Sequence, residues 1–210
     1  MNLKENTKSI LSEVNKILNI EDSYKAPDRV LRLLLNDDKE SRSDVFYQSA
    51  KLFSFDFSRD WFWEYFQEEH ADRHQNKQDF TPQCISAIIT RCFGLKQNNA
   101  SIVYEPAAGT GQMIIRNWEE TRHGQKPWEY LPSEHLYICS EISIKTIPFL
   151  LFNLAVRGIC AVVYRMDSMT KQVFDIYTVT NSSDSALSYS EVQEVDLTSS
   201  DGKFYLSLMQ

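Results

Sequence analysis

The chain has 210 residues, 42% of them hydrophobic, which is ample for a packed core and excludes a disordered chain. A formal net charge of -7 and a pI near 5.2 exclude a protein that grips nucleic acid with its whole surface, because duplex affinity draws on Lys and Arg against phosphates; a local basic groove stays open. The N-terminus is polar without a signal-type apolar core, and the longest apolar run, residues 147–155, is short for a bilayer and interrupted by Pro148 and Asn153, so a cytoplasmic protein off the membrane is expected.

Residues 1–78 carry no β-type alternation and read as a helical N-terminal region. Ile10, Leu11, Val14, Ile17 and Leu18 recur at helical spacing, and Val30, Leu31, Leu33 and Leu34 form a second cluster behind the helix start Ala26-Pro27-Asp28. The aromatic segment Asp60-Trp61-Phe62-Trp63-Glu64-Tyr65-Phe66 is expected to be core; a base-stacking platform would need interleaved basic residues, and only Arg59 and Arg73 flank it.

Residues 79–210 read as a second domain of strands alternating with helices. The strands are expected at 102–104, 136–140, 159–164 and 173–179, with a helix over 144–157 closed by Gly158. Such alternation predicts an α/β fold with a parallel sheet and helices on both faces. Residues 119–135 are expected as a helix end and a long surface loop, and 192–198 with 203–208 as a closing β-hairpin around Ser199-Ser200-Asp201-Gly202.

Chemistry concentrates where Ser101-Ile102-Val103-Tyr104-Glu105 runs into Pro106-Ala107-Ala108-Gly109-Thr110-Gly111 and then the apolar-rich Gln112-Met113-Ile114-Ile115. A strand-to-helix corner with two glycines lets backbone approach a ligand closely. A dinucleotide fingerprint fits less well, because its third glycine would fall at Ile114. The next strand ends at Glu141, where nucleoside-binding sheets place an acceptor for both ribose hydroxyls; the segment 119–135 accounts for its distance from the turn. His70 and His74 share a helical spacing, yet position 71 is Ala rather than the Glu of H-E-x-x-H, so no metal is expected. Cys84, Cys92, Cys139 and Cys160 show no C-x-x-C spacing and suit buried reduced thiols. Neither a G-x-S-x-G elbow nor a G-x-x-x-x-G-K-[ST] loop occurs.

Phe80-Thr81-Pro82 together with Glu105-Pro106-Ala107-Ala108-Gly109-Thr110-Gly111 resembles the S-adenosylmethionine (SAM) motifs of adenine-N6 DNA methyltransferases, in particular the modification subunits of type I restriction systems. The resemblance covers about residues 78–181 and implies a class I, Rossmann-like methyltransferase sheet, truncated, with SAM as cofactor. It implies that Phe80, Thr81 and Pro82 shape the methionine end, Thr81 donating to the carboxylate, that Glu105 faces the ammonium group, and that Ala107, Gly109, Thr110 and Gly111 bring backbone against the ligand. Glu141 then takes the ribose and Ile142 packs on adenine. Asp167-Ser168 resembles the family's Gly-Asp-Ser, with Met166 in the glycine's place and Asp167 accepting from the adenine amino group. Asn181 is the expected catalytic residue, standing where the family has Asn-Pro-Pro-aromatic; here Ser182, Ser183 and Asp184 follow it.

The resemblance implies methyl transfer to adenine N6 in DNA, with DNA held weakly by this chain alone and recognition supplied by a specificity or other restriction-modification subunit; self-association is a further option. The alternative is a non-catalytic SAM-binding or interaction protein modulating such a system. An acidic Asp184 in place of an aromatic residue cannot stack on a flipped base, which leaves both readings standing.

Overall fold

A computed structural model describes residues 3–63, 65, 101–123, 125–126 and 128–209. Elements are numbered here among those residues. The boundary at residues 78 and 79, Phe80, Thr81, Pro82, His70, His74, Cys84 and Cys92 lie outside them.

Three helices open the chain: α1 (Leu3–Leu18), α2 (Ala26–Leu35) and α3 (Lys39–Leu52). Pro27 sits in the first turn of α2, where a missing N–H leaves no intrahelical bond unmade. That helix buries Ala26, Val30, Leu33 and Leu34, one stripe at helical spacing. Asp38 caps α3, its carboxylate accepting from the Ser41 N–H at 2.9 Å. Three aromatic residues of the segment that follows are core, as their density implies. Trp61, Phe62 and Tyr65 are buried, and the Phe62 ring lies 4.8 Å from Phe149 and 5.0 Å from Phe152.

Among the described residues the sheet has five strands, in the order β1 (Ser101–Glu105), β2 (His135–Glu141), β3 (Cys160–Asp167), β4 (Gln172–Thr180) and β5 (Glu191–Glu194). The first three are parallel, joined through α4 (Gln112–Arg122) and α5 (Ile147–Val156). Every residue of α5 is buried, because the helix is apolar all round and lies between the sheet and the N-terminal helices. Gly158 follows α5 with φ +68. The helical region and the sheet therefore share one apolar core, running from Val14 through Leu150 to Val192.

Two expectations are corrected. The fourth strand is antiparallel to β3, not parallel: only residues 168–171 separate the two, and a parallel crossover needs a dozen or more. Asp167 closes that hairpin, its Oδ1 accepting from the N–H groups of Met169 at 2.9 Å and Thr170 at 3.3 Å. The chain's last segment is not a hairpin either. Val192 belongs to β5, which pairs antiparallel with β4, and residues that were to form a returning strand form helix α6 (Ser200–Ser207). Ser199 decides this, since its hydroxyl oxygen accepts from the Gly202 N–H at 3.0 Å and so caps a helix where a turn was expected. Tyr205 and Leu206 of α6, with Met209 beyond it, pack on Val162, Tyr164, Met166 and Ile176, the face of the sheet opposite α5. Among the described residues no helix is long and apolar enough to cross a membrane.

A Cβ at Gly158 would lie 2.3 Å from the Ser188 carbonyl oxygen and 2.8 Å from Asn181 Nδ2, on a backbone that L side chains rarely adopt. Gly158→Ala is expected to lower stability by about 2 kcal/mol or more, read as a fall in the urea midpoint at unchanged m-value.

Candidate nucleoside-binding site

β1 delivers the chain to the C-terminal edge of the parallel strands, where two left-handed glycines turn it into α4: Gly109 at φ 56 and Gly111 at φ 101. Gly111 precedes the first residue of the helix, and a Cβ there would stand 2.9 Å from Leu150 Cδ1. The turn is pinned to the neighbouring strand. The Ala108 N–H donates to the Ser140 carbonyl at 2.9 Å, and the Gly109 N–H donates to Glu141 Oε2 at 3.0 Å. The other oxygen of Glu141 accepts from the Ser143 N–H at 2.8 Å.

Glu141 is buried to 8% exposure, and that burial pushes its carboxyl above the ordinary range against the opposing pull of the Ser143 and Gly109 N–H groups. Glu105 is also held high by burial, with the Ala107 N–H at 3.4 Å opposing. Across the edge, the Ser168 hydroxyl donates to the Pro106 carbonyl at 2.5 Å, tying the end of β3 to the turn. Asp167 has its carboxyl lowered by the Met169 N–H. Ile142 is half exposed beside Glu141.

Glu105, Ala107, Gly109, Thr110, Gly111, Glu141, Ile142, Asp167 and Ser168 thus gather at one edge of three strands, with three carboxylates among them. Two hydroxyls there are engaged within the protein. The hydroxyl of Ser168 is engaged by Pro106, and that of Thr110, a residue 1% exposed, donates to Asp60 Oδ2 in a short bond.

Asn181 is placed elsewhere, and its expected position is corrected. Because β4 runs antiparallel, Val179 pairs with Ala161, so Asn181 lies at the start of β3, the sheet edge away from the glycine turn. Its amide donates to the carbonyls of Gly158 (3.1 Å), Ser185 (2.9 Å) and Ser188 (3.3 Å), and its oxygen accepts from the Ser183 hydroxyl at 2.9 Å. A buried amide so fully engaged holds a loop together. Asp184 lies at the same edge, its carboxylate accepting from the Ser133 N–H and hydroxyl, each at 2.8 Å.

Behind the turn stands a buried polar network that sequence reading did not assign. Asp60, 2% exposed, accepts from Thr110, from the Phe62 N–H at 3.0 Å and from Asn153 Nδ2 at 2.8 Å. Asn153 also donates to the Thr110 carbonyl at 2.9 Å. The Arg157 guanidinium donates to Asn153 Oδ1 and to the carbonyls of Asn153, Phe57 and Arg59 at 2.6–3.0 Å. Burial lowers Arg157 to about 9, with Asp60 opposing, and burial raises Asp60. A signal existed: Asn153 is a lone polar residue in the run 147–155, and a buried amide requires partners.

A model of the N-6 DNA methylase family matches residues 58–191, more than half of the chain. No curated protein and no solved structure matches it.

Glu105 carries a pH signature. Its folded pKa lies above the ordinary 4.5, so the wild type holds extra stability below that value and loses it as pH rises through the folded pKa. Gln does not titrate. In urea titrations from pH 4 to pH 7, Glu105→Gln is therefore expected to gain on the wild type as pH rises, and a difference independent of pH would contradict the assignment.

Proposed function

We propose that this chain, which belongs to the N-6 DNA methylase family, binds SAM at the C-terminal edge of β1–β3 and serves N6-adenine methylation of DNA together with a partner that supplies DNA recognition. The carrying observation is Glu141: its carboxylate is fixed by the N–H groups of Gly109 and Ser143, at the end of the second parallel strand. A ribose diol offers two donors, and a carboxylate held in this way keeps lone pairs for both. The order β1-β2-β3 matches one half of a doubly wound sheet, which supports a Rossmann-like reading of the fold.

The acceptor set fits SAM better than a dinucleotide. Glu105, Glu141 and Asp167 make an acidic edge, suited to an ammonium and a sulfonium and unfavourable for a pyrophosphate. On this reading Glu105 faces the ammonium group, the turn at Ala107, Gly109 and Gly111 admits the methionine backbone, and Ile142 packs against adenine. Asp167 Oδ1 serves the hairpin turn, and on this reading the carboxylate also accepts from the adenine amino group. SAM would supply an electrophilic methyl group, open to in-line attack by the adenine amino nitrogen, with S-adenosylhomocysteine as the leaving group and a proton lost from the nitrogen. Positioning and orientation are the protein's contribution to such a step.

A second reading is favoured by Asn181, whose amide is engaged at the other edge of the sheet: a SAM-binding protein without transferase chemistry of its own, modulating a restriction-modification system. Labelled SAM and mixed-sequence DNA separate the two, with and without a specificity subunit. Label in N6-methyladenine supports the first reading, and binding without incorporation supports the second.

Calorimetric titration with SAM tests the shared premise, and heat without saturation up to millimolar ligand would end both readings. Glu141→Ala is expected to weaken binding by about 1–3 kcal/mol. Asn181→Ala should leave affinity unchanged while lowering stability by about 1–3 kcal/mol, since buried carbonyls lose their donor.

A further inference from the structure

We infer that Asp60 is a positioning residue for the glycine turn, setting the backbone of Thr110 so that the turn meets its ligand already formed. The inference rests on that turn being the SAM site. Gly109 and Gly111 both hold positive φ and have no side chain through which they could be fixed. Thr110 stands between them and has one. Its hydroxyl donates to Asp60 Oδ2, and its carbonyl accepts from Asn153 Nδ2, which also donates to Asp60 Oδ1 at 2.8 Å. Both ends of Thr110 are thereby held from one carboxylate, directly and through Asn153.

Asp60 is itself fixed from the far side. Arg157 donates to the carbonyls of Phe57 and Arg59, three residues and one residue before Asp60 in the chain, at 2.8 and 2.6 Å, and the Trp61 indole N–H donates to the Asp56 carbonyl at 2.6 Å. A carboxylate buried to 2% is a demanding choice for a contact that serves stability alone, since apolar packing at such a site is commonly as stable. Two of its three acceptor contacts hold the one turn residue with a polar side chain, directly at Thr110 and through Asn153, and the third, from the Phe62 N–H, fixes Asp60 to its own segment. Releasing Thr110 would leave it and Gly111 to be ordered on binding, with Gly109 still held by Glu141, a loss of about 10- to 100-fold in affinity.

The test uses Asp60→Asn, Thr110→Val and the double variant in the full chain, with Phe46→Leu, a fully buried core position, as a control for lowered stability. Two quantities are read: SAM affinity by calorimetry, and the ligand-free amide NMR signals of the glycines. Expected are a 10- to 100-fold loss of affinity in each single variant and a double variant within about threefold of the weaker single, because both remove one contact. The signals of Gly109 and Gly111 should shift or broaden while that of Gly202 stays in place, and Phe46→Leu should change neither affinity nor the turn signals. Wild-type affinity with unmoved turn signals in Asp60→Asn and Thr110→Val would overturn the inference, as would an equal loss in Phe46→Leu at matched thermal midpoint. Thr110→Val carries the test if Asp60→Asn fails to fold. Should the wild-type chain not bind SAM, the proposed function fails, and the glycine signals alone decide the role of Asp60.

Discussion

A carboxylate and a guanidinium buried in one apolar core are the constraint around which this molecule is arranged. Neither Asp60 nor Arg157 is more than 3% exposed, and each would be strongly unfavourable there without partners. Asn153 stands between them, accepting from one and donating to the other. It comes from α5, Asp60 from the segment after the N-terminal helices, and Thr110 from the corner behind β1. Three distant stretches of chain must therefore arrive together for any of these groups to be satisfied. The glycine turn is one of those stretches, so the geometry of the edge where a nucleoside would lie is set by contacts made beneath it.

A second constraint is the length of one connection. The four residues between β3 and β4 cannot carry a parallel crossover, and β4 folds back beside β3. The sheet consequently grows away from β1 on its far side, and β4 ends at the edge opposite the glycine turn. Loop residues after β4, including Asn181 and Asp184, then serve to fasten that end of the molecule to Ser133 and Gly158. The residues around the glycine turn and the asparagine after the fourth strand are thus separated by the direction of a single strand.

This explains what could be read from sequence. The parallel strands, the corner after β1 and Glu141 were legible because each is local: an apolar run, two glycines and an acid at a strand end determine their own neighbourhood. Asp167 was legible as a residue at the end of β3, but its service to the hairpin depends on where β4 goes. Asn181 stood at the expected place in the chain and at the wrong end of the sheet, since strand direction is a property of the connection and not of the strand. Residues 203–208 alternate well enough for a strand, yet Ser199 presents its side chain to the Gly202 N–H and starts a helix. Asp60 was hidden by its surroundings, because an acid at the head of an aromatic run is read with the run.

The burial of α5 on every side bears on how the chain reaches this fold. A helix with no solvent face cannot be stabilised by the sheet alone or by the N-terminal helices alone, since either layer leaves half of its apolar surface in water. Helical hairpin and sheet must close over it as one event, with Phe62 meeting Phe149 from one side while Val163 lines the same core from the other. Folding is then a single cooperative transition with long sequence separations, slow by the measure of contact order. The backbone amides at the centre of α5 would be among the slowest of the described residues to exchange with solvent.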